Sequence, residues 1–195
     1  MKRIIKFGLV GYMILLMLSL TSCNASNDKA NELINTYGYT YKISSLKTPK
    51  GSKVITWKYT DELSKEYKQE LIKFAKEKYP NAKKLREPTL KYNCHSYAWH
   101  GTSKKNTHWI NDPSKYWTDK SYSQYASSNG SIPNKVTNNS KVVYWDGNKP
   151  IHSGIVHSST KIRSKWGMGG LYEHNPKDCP YPQYDEITYK LTFYK

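Results

Sequence analysis

The sequence KVVYWDGNKPIHSGIV spans residues 141–156 and decides the fold. Asp146-Gly147 at its centre is typical of a tight hairpin turn, and β-branched and aromatic residues flank it on both sides. This pattern predicts an antiparallel pair of strands over residues 141–145 and 150–157. Gly154, in the second strand, predicts a point where another part of the chain approaches the backbone closely.

Two more strands are predicted downstream, over residues 171–174 and 186–194, the latter with apolar side chains at alternate positions. Upstream, Val54–Trp57 is predicted to be a short strand. The apolar spacing predicts a helix over residues 60–79, with Thr60 as its N-cap. Helices followed by an antiparallel sheet predict an α+β fold.

The composition indicates a small folded domain with an aromatic core. The 195 residues suit one domain of ordinary size. Only 25 Leu, Ile, Val and Phe residues follow position 22, but the chain has 18 Tyr and 6 Trp. These side chains bury large apolar faces, so a core can be built from them. The composition excludes a collagen, a coiled coil, a multi-span membrane protein and a disulfide-dense scaffold.

The N-terminus has the pattern of an export signal. Lys2, Arg3 and Lys6 precede an apolar run over residues 7–20, which is short for a membrane span. The following Leu20-Thr-Ser-Cys23 resembles the lipobox of bacterial lipoproteins. We therefore expect a signal peptide over residues 1–22, lipidation of Cys23, and a tether over residues 23–50 that holds the domain outside the bacterial cell membrane. The alternative is an ordinary secretory signal with a chance cysteine.

The functional interpretation of the formal net charge of +16 depends on this location. A basic domain outside the membrane is concentrated near anionic wall polymers or the anionic membrane surface, and these are the expected partners. Nucleic acid is not an expected partner, because the chain has an export signal and no recognisable nucleic-acid-binding module.

Cys94 is the candidate nucleophile. Asn93 is a good N-cap, which would place Cys94 at the start of a helix, where the thiolate is favoured. A catalytic thiol also needs a base and a group that orients the base. His152, near the start of a predicted strand, is the candidate base, and His174, on a neighbouring predicted strand, is the candidate orienting residue.

These residues resemble the papain-like cell-wall amidases and endopeptidases of bacteria, the NlpC-type and CHAP-type domains. The resemblance rests on Cys94 with Tyr97-Ala98, on His152-Ser-Gly-Ile-Val156, and on the order Cys, His, His. It covers about residues 55–195. It implies a papain-like domain over residues 51–195, with N-terminal helices packed on a C-terminal antiparallel sheet.

The resemblance also implies an activity, namely thiol-dependent cleavage of amide bonds in peptidoglycan or another peptide substrate. No cofactor or metal is expected, and the domain is expected to be a monomer. Cys94 would be the nucleophile, His152 the base and His174 the orienting residue. The Cys94 backbone N–H would form part of an oxyanion hole. Tyr92, Asn93 and His95 are further candidates for that role, and Trp166 is a candidate for substrate contact.

Several other interpretations stay open. Cys94 could be a buried small hydrophobe, or it could form a disulfide with Cys179. A zinc site could combine the two cysteines with histidines, although no close ligand pair at helix spacing supports it. The candidate zinc ligands are Cys94, Cys179, His95, His100, His108, His152, His157 and His174. At the level of function, the alternatives are a non-catalytic lipoprotein that binds the wall or a partner, and a thiol acyltransferase.

Overall fold

The computed structural model describes residues 32–181 and 189–195. The predicted signal peptide, Cys23 and the first part of the tether lie outside these residues, as does the start of the predicted strand 186–194. Within the described ranges, no helix is both long enough and apolar enough to cross a membrane.

Within residues 32–181 and 189–195, eleven strands form two antiparallel sheets. In chain order the strands are β1 Glu32–Ile34, β2 Thr40–Lys47, β3 Lys53–Tyr59, β4 Lys83–Arg86, β5 Trp109–Ile110, β6 Gln124–Asn129, β7 Lys141–Asp146, β8 Lys149–Val156, β9 Ile162–Lys165, β10 Leu171–His174 and β11 Lys190–Tyr194. The larger sheet has seven strands in the order β4-β10-β9-β8-β7-β11-β6. The smaller sheet has four strands in the order β1-β2-β3-β5.

The predicted hairpin is confirmed, and it lies near the centre of the larger sheet. β7 pairs with β8 so that Tyr144 faces His152, and Gly147 in the turn has a φ of 56°. Val142, Val143 and Tyr144 are all fully buried although neighbouring side chains point to opposite faces. The sheet is therefore covered on both sides at this point, as a continuous run of apolar residues predicts.

The α+β class is confirmed, but the N-terminal half is richer in strands than predicted. β1, β2, β3 and β5 form a complete second sheet there, and β1 and β2 lie within the residues predicted as a tether. The strands form because Tyr41 and Ile43 alternate with polar residues and pair with Tyr59 and Trp57 of β3. Their aromatic rings stack, with the Tyr41 and Trp57 centroids 4.3 Å apart.

The predicted helix over residues 60–79 is shorter than expected and begins later. Helix α1 is Lys65–Lys78, and Ser64, not Thr60, is its N-cap, since the Ser64 hydroxyl accepts from the Tyr67 N–H at 3.1 Å. Glu62 lies outside the helix because its carboxylate accepts the backbone N–H of Leu63 and of Leu90. A second, short helix, α2, is Lys115–Thr118.

Three buried clusters cover the sheets. The first lies on one face of the larger sheet and includes Val142, Phe193 and Trp166. The second lies on the opposite face, where Val143 of β7 packs with residues of the smaller sheet such as Val54. The third joins α1 to Trp109 of β5. The second and third clusters thus hold the smaller sheet and α1 against the rest of the chain.

Gly154 confirms the predicted close approach. A Cβ at this position would lie 2.6 Å from Ile162 Cγ2 and 3.1 Å from the carbonyl oxygen of Arg163. The neighbouring strand β9 can therefore pack here only because residue 154 has no side chain.

We expect Gly154→Ala to lower the free energy of unfolding by about 1–3 kcal/mol, because the added methyl group overpacks a buried backbone contact. Gly101→Ala is the matched control, since a Cβ there meets nothing within 4 Å. Urea unfolding of both variants measures the difference. Equal stability of the two variants would show that β8 and β9 tolerate a side chain between them.

Candidate functional site

Cys94 begins a short helical segment, as the sequence predicts. Cys94 and His95 are helical and lead into a π-helix, Ser96–His100. The Asn93 side-chain oxygen accepts the Ser96 N–H at 3.0 Å, which is the N-cap hydrogen bond. The same oxygen accepts the Ile110 N–H at 3.2 Å, and the Asn93 amide donates to the Ile110 carbonyl at 2.7 Å. The hydrogen bonds that the Asn93 side chain makes among the described residues are therefore structural.

The sulfur of Cys94 is buried and surrounded by backbone donors. The residue is 5 % exposed, and burial raises the pKa of its thiol to about 11. The backbone N–H groups of Ser153, His95 and Cys94 itself act in the opposite direction, because they stabilise a thiolate. The site therefore has the donors that an anionic sulfur needs, in an environment that excludes water.

Lys165, at the end of β9, places a buried amine beside the thiol. Its Nζ donates to the carbonyl oxygens of Thr89 at 3.0 Å and Gly167 at 2.6 Å, and lies 5.3 Å from the centroid of the Tyr92 ring. Burial lowers the pKa of Lys165 to about 7, against the smaller opposing effect of a negative charge on Cys94. An ammonium at Lys165 and a thiolate at Cys94 would stabilise each other, but burial disfavours the charged form of both groups.

His152 lies on β8, next to Ser153 in sequence, and is fully buried. Its ring stacks on Tyr181 with the centroids 3.6 Å apart. Neither ring nitrogen has a hydrogen-bond partner among the described residues, so none joins His152 to Cys94 there. Burial holds the pKa of His152 far below its ordinary value, so the imidazole is neutral at neutral pH.

His174 lies on β10, fully buried, and its ring nitrogens bond to groups other than His152. Nδ1 lies 2.7 Å from the Asn175 carbonyl oxygen, which can only accept, so Nδ1 carries the proton. Nε2 then accepts from the Ser164 hydroxyl at 2.7 Å, and that hydroxyl in turn accepts from Trp166 Nε1 at 3.2 Å. In the described part of the chain, no hydrogen bond joins His174 to His152, so no direct contact supports the predicted orienting role of His174.

The remaining predicted residues fall into two groups. His95 and Tyr92 lie beside the sulfur or its neighbours: His95 Nδ1 is 2.8 Å from Ser153 Oγ, and Tyr92 contacts Lys165. Trp166 lies elsewhere, in the core, where it is 1 % exposed and stacks on Tyr172 at a centroid distance of 4.0 Å. These contacts are typical of a side chain that packs in the hydrophobic core.

The structure bears on the disulfide and zinc interpretations as well. Cys94 and Cys179 are both free and buried. Within residues 32–181 and 189–195, no group of three or more His, Cys, Asp or Glu side chains is arranged to hold a metal ion.

A cavity of about 410 Å³ lies beside this region. It runs along the end of β4 and the loop that follows, and Thr89 and Tyr92 belong to its wall. Both residues also contact the Lys165 amine, which donates in addition to the Gly167 carbonyl. The cavity wall and the surroundings of Cys94 therefore share residues, although the sulfur itself is buried.

Sequence reasoning missed Lys165 and the backbone N–H of Ser153. A single lysine at a strand end is ordinarily solvated, so no pattern in the sequence distinguished Lys165 from the other lysines of the chain. The Ser153 donor belongs to the backbone and has no sequence signal. Only the position of Ser153 beside Gly154 hinted that the chain approaches closely there.

Comparison with protein-family models found no match for this chain. Comparisons with curated proteins and with solved structures likewise found no significant match. The geometry of the site therefore has to carry the functional argument.

We expect Asn93→Ala to lower the free energy of unfolding by about 2–4 kcal/mol. The change removes the N-cap, worth about 1 kcal/mol, and leaves the buried Ile110 N–H and carbonyl without partners, at about 1–3 kcal/mol. Ser114→Ala is the control, because Ser114 precedes α2 without making a side-chain cap hydrogen bond. Denaturant unfolding compares the two, and a loss for Asn93→Ala no greater than that of the control would contradict the capping role.

We expect the protein to lose stability as the pH falls from 6.5 to 5. Burial lowers the pKa of His95 and His174 to about 4 and that of His152 further, so the unfolded chain binds protons that the folded chain does not. For a pKa of about 4 in the folded and 6.5 in the unfolded state, each histidine removes roughly 2 kcal/mol by pH 5.

Urea unfolding at several pH values measures this slope. His174→Gln removes one titrating group and should make the slope shallower, whatever its effect on stability at pH 7. A free energy of unfolding that stays constant between pH 6.5 and 5 would show that these imidazoles are not held neutral.

Proposed function

We propose that the chain is a thiol-dependent hydrolase that cleaves amide bonds, with Cys94 as the nucleophile and a papain-like arrangement around it. Peptidoglycan peptides are the proposed substrate, and anionic wall polymers or the membrane surface are proposed partners of an exported, lipid-anchored domain. The observation that carries this proposal is the surroundings of the Cys94 sulfur: burial raises the pKa of the thiol to about 11, and three backbone N–H groups and the Lys165 amine act against that rise by stabilising a negative charge on the sulfur.

The same donors support catalysis of acyl transfer. In the proposed reaction the Cys94 thiol loses its proton and the sulfur attacks the amide carbonyl, so that an acyl-enzyme forms and the amine leaves. Water then resolves the acyl-enzyme. The carbonyl oxygen becomes negative during each attack, and fixed N–H donors in a water-poor site stabilise that charge. Asn93 holds the helix start, and with it the N–H groups of Cys94 and His95, in position.

His152 is the proposed proton acceptor. Its imidazole is neutral, so one of its two ring nitrogens, neither of which has a partner in the described residues, can accept the thiol proton; burial lowers the pKa of His152 and opposes this transfer. The transfer requires a ring nitrogen of His152 to come within hydrogen-bond distance of the sulfur, a contact that the described residues do not make.

The experiment compares Cys94→Ala with Cys179→Ala. Both cysteines are buried and free, so the second variant controls for the loss of a buried thiol. We expect Cys94→Ala to lower hydrolysis of purified cell walls by at least about 10³-fold and Cys179→Ala to leave it nearly unchanged. Mass analysis of the products distinguishes hydrolysis from transfer to an amine. Wall hydrolysis that survives in Cys94→Ala would overturn the assignment.

A second candidate function is a non-catalytic lipoprotein that binds the wall or a partner. It is favoured by the burial and raised pKa of Cys94 and by the missing hydrogen bond from His152. For this function, folded Cys94→Ala should bind walls as tightly as the original chain, and neither protein should release soluble peptides. A sedimentation assay with labelled walls measures the binding.

A further inference from the structure

We propose that the cavity beside β4 is a binding site for a phosphate ester group. The cavity has a volume of about 410 Å³ and opens between the end of β4, the loop that follows and Lys104. This volume is within the range of small-ligand sites. The proposal is independent of the chemistry at Cys94.

Arg86 is the central group of this site. Its Nη1 donates to the Thr102 carbonyl at 2.8 Å and to the Tyr92 hydroxyl at 3.4 Å, which fixes the guanidinium at the cavity wall. No hydrogen bond from its Nε or Nη2 and no carboxylate within ion-pair distance is found among the described residues. A half-buried guanidinium held by one nitrogen, with the others unused, is prepared to bind an oxyanion through parallel hydrogen bonds.

The other charges of the cavity favour an anion. Lys91 and Lys104 also line it, and neither pairs with a carboxylate in the part of the chain that the structure describes. Glu87 is the only acidic residue of the lining, and Lys84 neutralises it at 2.6 Å. Three cations therefore face the cavity against one carboxylate that is already paired.

A phosphate ester fits this set best. Its oxygens accept the fork of Arg86, and its charge matches the ammonium groups of Lys91 and Lys104, which act as point charges. The phosphate group has two possible sources outside a membrane, namely a soluble or polymeric phosphate ester and a lipid headgroup. Both present the same chemistry to the cavity, and the test below separates them.

The test is an NMR titration of the full chain in a non-ionic detergent, with sn-glycerol 3-phosphate as the soluble probe. Dihexanoyl phosphatidylglycerol and dihexanoyl phosphatidylcholine are the lipid probes, and glycerol is the probe without phosphate. We expect saturable shifts of the Arg86 side-chain signals with glycerol 3-phosphate and none with glycerol. If the lipid source is the physiological one, dihexanoyl phosphatidylglycerol binds more tightly than glycerol 3-phosphate, and the reverse order identifies a soluble or polymeric ester.

Matched variants distinguish a site from general attraction. Lys91→Gln/Lys104→Gln removes two cavity charges, and Lys135→Gln/Lys149→Gln removes two exposed charges elsewhere, so both chains have the same net charge. We expect the first pair, and Arg86→Gln, to raise the dissociation constant about tenfold or more, and the second pair to change it less than about twofold. Equal weakening by the two double variants, or no shift of the Arg86 signals, would overturn the proposal. Lys91 and Lys104 are exposed, so their variants test it even if Arg86→Gln fails to fold.

Discussion

The hydrogen bonds of the Asn93 side chain are the constraint on which the site depends. They join the start of the helical segment that carries Cys94 to Ile110 of β5, which belongs to the smaller sheet. The same helical segment packs against β7, β8 and β9 of the larger sheet. One buried carboxamide, with both of its polar atoms hydrogen-bonded, therefore links the segment that carries the thiol to the smaller sheet, while the buried clusters hold the two sheets together.

The core around this link is made largely of aromatic residues with polar atoms. Trp99 illustrates the principle, since its ring packs on Tyr116 and Tyr194 while its Nε1 donates to Ser153 Oγ at 3.0 Å. Trp166 does the same through Ser164. A chain with few aliphatic residues thus obtains apolar burial from rings and directs their polar atoms to buried hydroxyls. Each such hydrogen bond also restricts the orientation of the ring.

Local signals in the sequence predicted the elements that local chemistry determines. The turn at Gly147, the cap at Asn93 and the close approach at Gly154 each depend on one residue type that suits one backbone environment. The predicted start of helix α1 was wrong because the Glu62 carboxylate accepts the backbone N–H of Leu90. Leu90 lies in a loop distant in sequence, and no local pattern shows this contact. The smaller sheet was predicted only in part, by the strand at Val54–Trp57 that lies within β3; its pairing with β5 was not predicted, because β5 lies 50 residues downstream of β3.

The local placement of Cys94 and His152 in the fold was predictable from the sequence, but their contacts were not. Cys94 lies at a helix start, as its neighbour Asn93 indicated, and His152 lies on the adjacent part of the sheet. The hydrogen bonds of His174 with Ser164 and Asn175, and the burial of Lys165, follow from tertiary packing alone. A histidine or lysine side chain can serve either catalysis or packing. Its spacing from other residues in the sequence does not show which of the two it serves.

The positive charge of the edge strand β4 affects whether copies of the protein associate at high local concentration. Its sequence is Lys-Lys-Leu-Arg, and it forms one border of the larger sheet, where no strand of the described residues pairs with its outer backbone groups. Such a border can recruit a strand from a second copy, and repulsion between like charges opposes that association. Copies of the protein meet often at high concentration. The cations of β4 would then keep neighbouring molecules from joining edge to edge.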